Sequence, residues 1–212
     1  MQIIADREAL KFKFGFERFK EFKYFFILLG IMLLGMLFGV MSAKGINPAV
    51  DTVIENWFKS FLNFRQTSGF GNLFFNLFLS SFLYFFLISF SSFGISGLIA
   101  VPIIICLRGF GVSLIAGILY RNYSLVGIAF ADLIILPFCI ANCILMLYLS
   151  AQGMELSVLF CNSIRDVSAK GIVIKPKILM LLKKILLCIL CSAVISLAEA
   201  TFTSCFIKYF NF

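Results

Sequence analysis

The 212 residues contain no histidine. That removes the commonest general base and the commonest protein metal ligand. Charge is scarce as well, at 13% of residues, against roughly 25% in an ordinary soluble domain. There is no glycine-rich phosphate loop and no nucleophile in a pattern that supplies it with a base. A catalytic role is therefore not expected, and no cofactor is implied. Long polar stretches are missing too, which leaves no room for a second large soluble domain. What fills the chain is apolar. Hydrophobic residues make up 62% of it, and the mean hydropathy is +1.07. The composition is that of an integral membrane protein, read as one domain over residues 1–212.

The formal net charge of +8 does not point to nucleic acid, because the basic residues stand in blocks beside apolar spans. Such blocks set orientation in a membrane and contact anionic lipid. Seven cysteines are present. Cys188 and Cys191 form a CxxC, and Cys139 and Cys143 are one helical turn apart. A redox or metal CxxC normally sits in a loop or at a helix start. This one lies inside an apolar span and is expected to be small filler.

The pattern predicts an all-α polytopic membrane protein, a five-span helical bundle with interfacial amphipathic helices. The spans fall at about 24–41, 73–93, 96–120, 125–149 and 185–207. Before the first, Met1 to Lys23 alternates Lys and Arg with Phe. It reads either as an amphipathic segment on the membrane surface or as a basic flank that sets orientation. Asn47-Pro48 is a good helix start. After it, Val50, Val53, Ile54, Trp57, Phe61 and Phe64 recur at helical spacing, giving an amphipathic helix with Trp57 at the lipid–water boundary. Val53, Trp57, Phe61 and Phe64 form a candidate partner surface. Asn122 to Ser124 is expected to be a short turn, and Ala151 to Lys184 a basic amphipathic connection broken at Gly171 and Pro176.

The segment Gly94–Arg121 organises the chain. It is almost wholly apolar yet carries Arg108 near its middle. A charge in the bilayer core costs a few kcal/mol or more unless paired or wetted, so Arg108 either holds helices together or serves function directly. Gly109, Ser113 and Gly117 follow at four-residue spacing. Gly35, Gly39 and Ala43 in the first span, and Ser192, Ser196 and Ala200 in the fifth, form similar stripes where helices pack closely. Pro102 and Gly109 are candidate breaks in the third span. Asp132, Pro137 and Asn142 mark an inward-facing side of the fourth.

Counting Lys and Arg on alternate sides puts the N-terminus in the cytoplasm and the C-terminus outside. In that orientation Asp132 lies about 10 Å, Glu199 about 12 Å and Arg108 about 18 Å below the outer surface at the helical rise. Arg108, Asp132 and Glu199 are therefore expected to share one polar core with a surplus negative charge.

The order and spacing of several residues resemble the stage II sporulation protein M family. These are Gly97, Arg108-Gly109, Gly117, the Leu-Pro ending at Pro137, and Ser196-Leu197-Ala198-Glu199-Ala200. Ser113 stands where that family usually has Gly, and the His-Gly-x-x-Glu of many wider-family members is absent. The resemblance implies a bacterial cell-membrane scaffold that acts during engulfment in endospore formation. Its implied partners are membrane lipid and the membrane-anchored cell-wall hydrolases, stage II sporulation proteins P and D. It implies no chemistry by the chain itself. A permease subunit with a buried charged site is the competing expectation.

Overall fold

The computed structural model describes residues 2–44, 48–165 and 171–206, with side chains for 23–44, 52–123, 125–163 and 176–206. The described residues form helices α1 (Gln2–Ala43), α2 (Pro48–Thr67), α3 (Phe70–Ser92), α4 (Gly97–Phe130), α5 (Leu136–Arg165) and α6 (Gly171–Phe206), with a π-helical turn Ala131–Ile135 between α4 and α5. No strand occurs among them. Five stretches are long and apolar enough to cross a membrane: Lys23–Ala43, Phe70–Ser92, Gly97–Tyr123, Leu125–Ser163 and Pro176–Phe206. The fold is an all-α polytopic membrane bundle. Asn47, Lys170, Lys208 and the side chains of the first 22 residues lie outside the described set, and with them the proposed cap and the basic–aromatic pattern.

α1 makes its most extensive packing against α4, and the small-residue stripes explain why. Gly35 lies against the Cys106 carbonyl, and Gly39 against the Phe110 carbonyl and the Ser113 hydroxyl. Gly109 lies against Met32, and Gly117 against Ala43. Contacting positions rise together along both helices, so α1 and α4 run parallel. A Cβ on the closest of these glycines would strike backbone, which is how small-xxx-small stripes bring two helices together in lipid. Pro102 and Gly109 do not break α4. Helical geometry also continues through Asn122 to Ser124, but the chain reverses there. Gly127 lies against the Leu119 carbonyl, and Tyr120 reaches Asp132. Twelve residues of straight helix would separate that last pair by about 18 Å.

The π-helical turn has a local cause. Pro137 has no amide to offer the Leu133 carbonyl, and its ring crowds that carbonyl. The Leu136 amide instead bonds to the Ala131 carbonyl, five residues back.

The expected amphipathic connection 151–184 is helical over most of its length, in keeping with the helical spacing of Leu156, Leu159 and Phe160, but Pro176 does not break it. α5 continues to Arg165, and α6 starts at Gly171 and runs through Pro176. Residues 149–157 are almost entirely buried. The segment looks loop-like because it is polar and small, but those residues let helices close on it. Gly153 sits against Ser92, Gly97 against Ser157, and the Ser157 hydroxyl donates to the Ser92 carbonyl at 3.2 Å. α3 and α4 are separate helices joined by the short turn 93–96.

α2 docks on one end of the bundle. Phe58 and Leu62 are buried with Ala43, Ile118, Leu119, Phe130, Ala131, Ile134 and Ile135. Arg121 fastens the same end, donating to the Ala43 carbonyl at 3.0 Å and to Glu55 at 3.0 Å.

Candidate functional site

The buried face of α2 carries Ile54, Phe58, Leu62 and Arg65, spaced at four, four and three residues. Arg65 therefore points inward with the apolar side chains. Its Nη2 donates to Glu199 Oε1 at 2.7 Å, and its guanidinium lies 4.8 Å from the Phe61 ring centroid. Arg65 is 5% exposed and Glu199 4%. The ion pair ties α2 to α6 inside the bundle.

Ser196 and Thr203 flank Glu199 on α6, one turn to either side, and both are 0% exposed. Several other span hydroxyls satisfy themselves locally, although the buried Ser150 hydroxyl of α5 has no partner. Ser42, Ser89, Ser92, Ser113, Thr201 and Ser204 each donate to the carbonyl four residues back. The Ser196 and Thr203 hydroxyls have no partner, and neither do Arg65 Nε and Nη1.

Arg108 approaches the same region from α4. It is partly buried, with its guanidinium 4.9 Å from the Tyr84 ring centroid. Cys139 and Cys143 of α5 are its other neighbours. Its Nε is buried without a partner. The register of α5 against α6 fixes the depth. Phe138 packs on Phe202 at 5.5 Å, and the Ser192 hydroxyl donates to Asn142 at 2.9 Å. Glu199 is thus level with Cys139, which lies within electrostatic range of Arg65, Arg108 and Glu199.

The expected trio of Arg108, Asp132 and Glu199 is corrected by these contacts. Asp132 is exposed and accepts from the Tyr120 hydroxyl at 2.6 Å. The wide turn before Pro137 and the reversal at 119–127 place it outside the core. The carboxylate's partner is instead Arg65 of α2, outside the apolar spans. Among the described residues two guanidinium groups and one carboxylate lie in this region, so the surplus charge is positive rather than negative. Arg65 had a signal in the sequence: it continues the Ile54, Phe58, Leu62 stripe, one turn beyond its last apolar member.

The polar groups of α6 continue toward the other end of the bundle. Beyond the Ser192–Asn142 pair, Lys184 donates to Gln152 at 2.6 Å and Lys177 to Glu155 at 2.8 Å. Ser192, Ser196 and Ala200 are fully buried, so this stripe is a packing face as well as a polar one. On α2, Val53, Trp57 and Phe64 are exposed. Phe61 is half-buried and stacks between Trp57 and Phe58 at 5.9 and 6.1 Å. Cys188 is buried and Cys191 partly so, and both are free thiols. Among the described residues no three His, Cys, Asp or Glu side chains gather in a metal-holding group. Comparison with protein-family models, with curated proteins and with solved structures finds no match for the chain.

Proposed function

We propose that the chain is a membrane scaffold that holds peptidoglycan-degrading enzymes at the bacterial cell membrane during engulfment in endospore formation. In this reading the N-terminus is cytoplasmic, and α2 and the C-terminus face outward, as the Lys/Arg asymmetry suggests. The observation that carries it is the outer face of α2. One side of this helix is locked to the bundle by Phe58, Leu62 and the Arg65–Glu199 pair. The other presents Val53 at 68% exposure and Trp57 at 50%. A helix pinned to the bundle by an ion pair and a few apolar contacts, with an exposed aromatic anchor, suits docking, because buried aromatic residues dominate interface energies. The partner class, cell-wall hydrolases of the stage II sporulation protein P and D kind, follows from the family resemblance.

The test is a crosslinked pull-down from native membranes during sporulation, with partners read by mass spectrometry. Hydrolases should be recovered, with crosslinks mapping to α2. Trp57→Ser should cut recovery by about 30-fold or more, as loss of a hot spot of roughly 2 kcal/mol does. Recovery of an ATPase or solute-binding protein without hydrolases would instead favour a permease subunit. The buried Arg65, Glu199 and Arg108 set is the observation behind that second reading.

A further inference from the structure

Helix α3 presents a seam that its own bundle does not use. Asn72, Asn76, Leu79, Leu83, Phe86 and Phe90 follow at spacings of four, three, four, three and four residues. All six are exposed. The face that α3 turns to the bundle is a different one, with Leu73, Ser81, Phe85 and Ile88 buried. Alternating steps of four and three keep side chains on one line, the a and d positions of a packed helix pair. Phe86 and Phe90 stack at 6.2 Å, so the seam is amide at one end and aromatic at the other.

The apolar members need no protein partner, since lipid covers them. The amides are different. α3 is about 34 Å long at the helical rise, against a hydrocarbon layer of roughly 30 Å. Asn76 lies about 9 Å from its Phe70 end, inside that layer and one turn deeper than Asn72. Neither amide has a side-chain hydrogen bond among the described residues. Exposed hydroxyls of other spans are answered within their own helix, as when Thr201 of α6 donates to the Leu197 carbonyl at 2.8 Å. An asparagine carries two donors and an acceptor. In lipid such a group is satisfied across a helix–helix contact.

The amide is its own complement, because it donates and accepts at once. Copies of one chain insert in the same orientation, so their α3 helices run parallel and equal residues sit at equal depth. A two-fold axis along the membrane normal then sets each seam residue opposite itself. Asn72 and Asn76 meet their own kind, Leu79 and Leu83 pack below them, and Phe86 and Phe90 close the far end. No charged residue lies on the seam, so like charges do not oppose the contact. A buried Asn at one a position is also what fixes register and strand number in paired helices, and Asn76 holds that position. We propose that the chain forms a parallel two-fold homodimer in the membrane through this face of α3, with the Asn76 pair setting its register. The dimer does not depend on the scaffold reading.

The test uses the purified full chain in lipid vesicles. Copies labelled with donor and acceptor dyes are mixed, and energy transfer is followed as added lipid dilutes the protein. Transfer should fall along a two-copy dissociation curve, and unlabelled parent should compete it away. Asn76→Leu should move the midpoint to higher protein density by about five- to thirtyfold, the range of interhelical hydrogen bonds in lipid. The substitution takes a polar group off a lipid-facing position, so the variant should melt no lower than the parent. As a second measurement, a benzophenone side chain at position 83 should crosslink two copies, whereas one at the exposed Leu190 position of α6 should not. A parent that stays monomeric at every dilution, an Asn76→Leu variant with the parent's midpoint, or copies that crosslink at position 190 and not at 83 would overturn the proposal. A parent that is monomeric in vesicles yet crosslinks through position 83 to another protein in native membranes would give this face to a different partner and overturn it as well.

Discussion

Replacing Glu199 with Leu leaves the Arg65 guanidinium buried with only the Phe61 ring and no opposite charge in contact. Breaking one side of a buried ion pair costs about 3–5 kcal/mol, because the survivor keeps its desolvation penalty and loses its compensation. Arg65→Met should cost a similar amount by stranding the carboxylate. For a chain of this size those losses lower the melting temperature by roughly 6–20 °C. The double variant, Arg65→Met with Glu199→Leu, removes both charges and fills the space with apolar atoms. It should return to within about 1–2 kcal/mol of the parent, since hydrophobic replacement of a buried pair is often neutral. The assay has a built-in reporter. The chain has one tryptophan, and it is Trp57 of α2, so its fluorescence follows release of α2 while circular dichroism follows loss of the bundle. The single variants should release α2 at a lower temperature than they melt the bundle, and the double variant should bring the two transitions back together. A double variant as damaged as the two singles combined would show that the residues act independently, and the pairing argument would fail.

Three further outcomes follow from the packing. Asp132→Asn should change stability by less than about 1 kcal/mol, because the residue is exposed and an amide oxygen still accepts from Tyr120; thermal melting beside Glu199→Leu checks this directly. Gly39→Ala drives a methyl into the Phe110 carbonyl and the Ser113 hydroxyl, and should destabilise the bundle by about 1–3 kcal/mol. Gly30→Ala and Gly111→Ala meet nothing within 4 Å, so helix propensity alone applies and stability should be unchanged or raised by up to about 1 kcal/mol, read by thermal melting. If all three glycine variants behave alike, close approach is not what holds α1 to α4.

The parts of this fold that depend on a one-dimensional pattern could be read directly. Long apolar runs mark five helices because lipid leaves the backbone few other ways to satisfy its polar groups. The Gly35/Gly39/Ala43 and Gly109/Ser113/Gly117 stripes were visible as well, and the structure packs them on each other. What could not be read is which polar residue meets which, since that depends on register and on local departures from ideal geometry. Asp132 and Glu199 looked alike, as single acids inside apolar spans. Pro137 forces a wide turn just before it and a tight reversal lies upstream, so one acid ends beside Tyr120 at the surface and the other beside Arg65. The burial of Leu149–Ser157 was hidden for a different reason. Its Ser, Gln, Gly and Glu are the vocabulary of a loop, but in a bundle small polar residues are what let helices touch.

Arg65 shows how a surface helix and a membrane interior can be joined by a single side chain. α2 otherwise meets the bundle through apolar contacts at its end, with Phe58 and Leu62 against α4 and the π-helical turn, and through the Arg121–Glu55 pair, which is partly open to solvent. Those contacts hold the helix but say nothing to the core. The Arg65–Glu199 pair does, because Glu199 shares its level with the thiols beside Arg108. Any force on the exposed face of α2 that draws Arg65 outward strips Glu199 of its partner and changes the charge balance around Arg108. Reciprocity of linked equilibria then requires that whatever stabilises the interior charge set also stabilises docked α2. Trp57 emission should therefore shift when Arg108→Gln removes the interior charge. A Trp57 signal that ignores that loss would separate the outer helix from the core and leave Arg65 as a structural tether only.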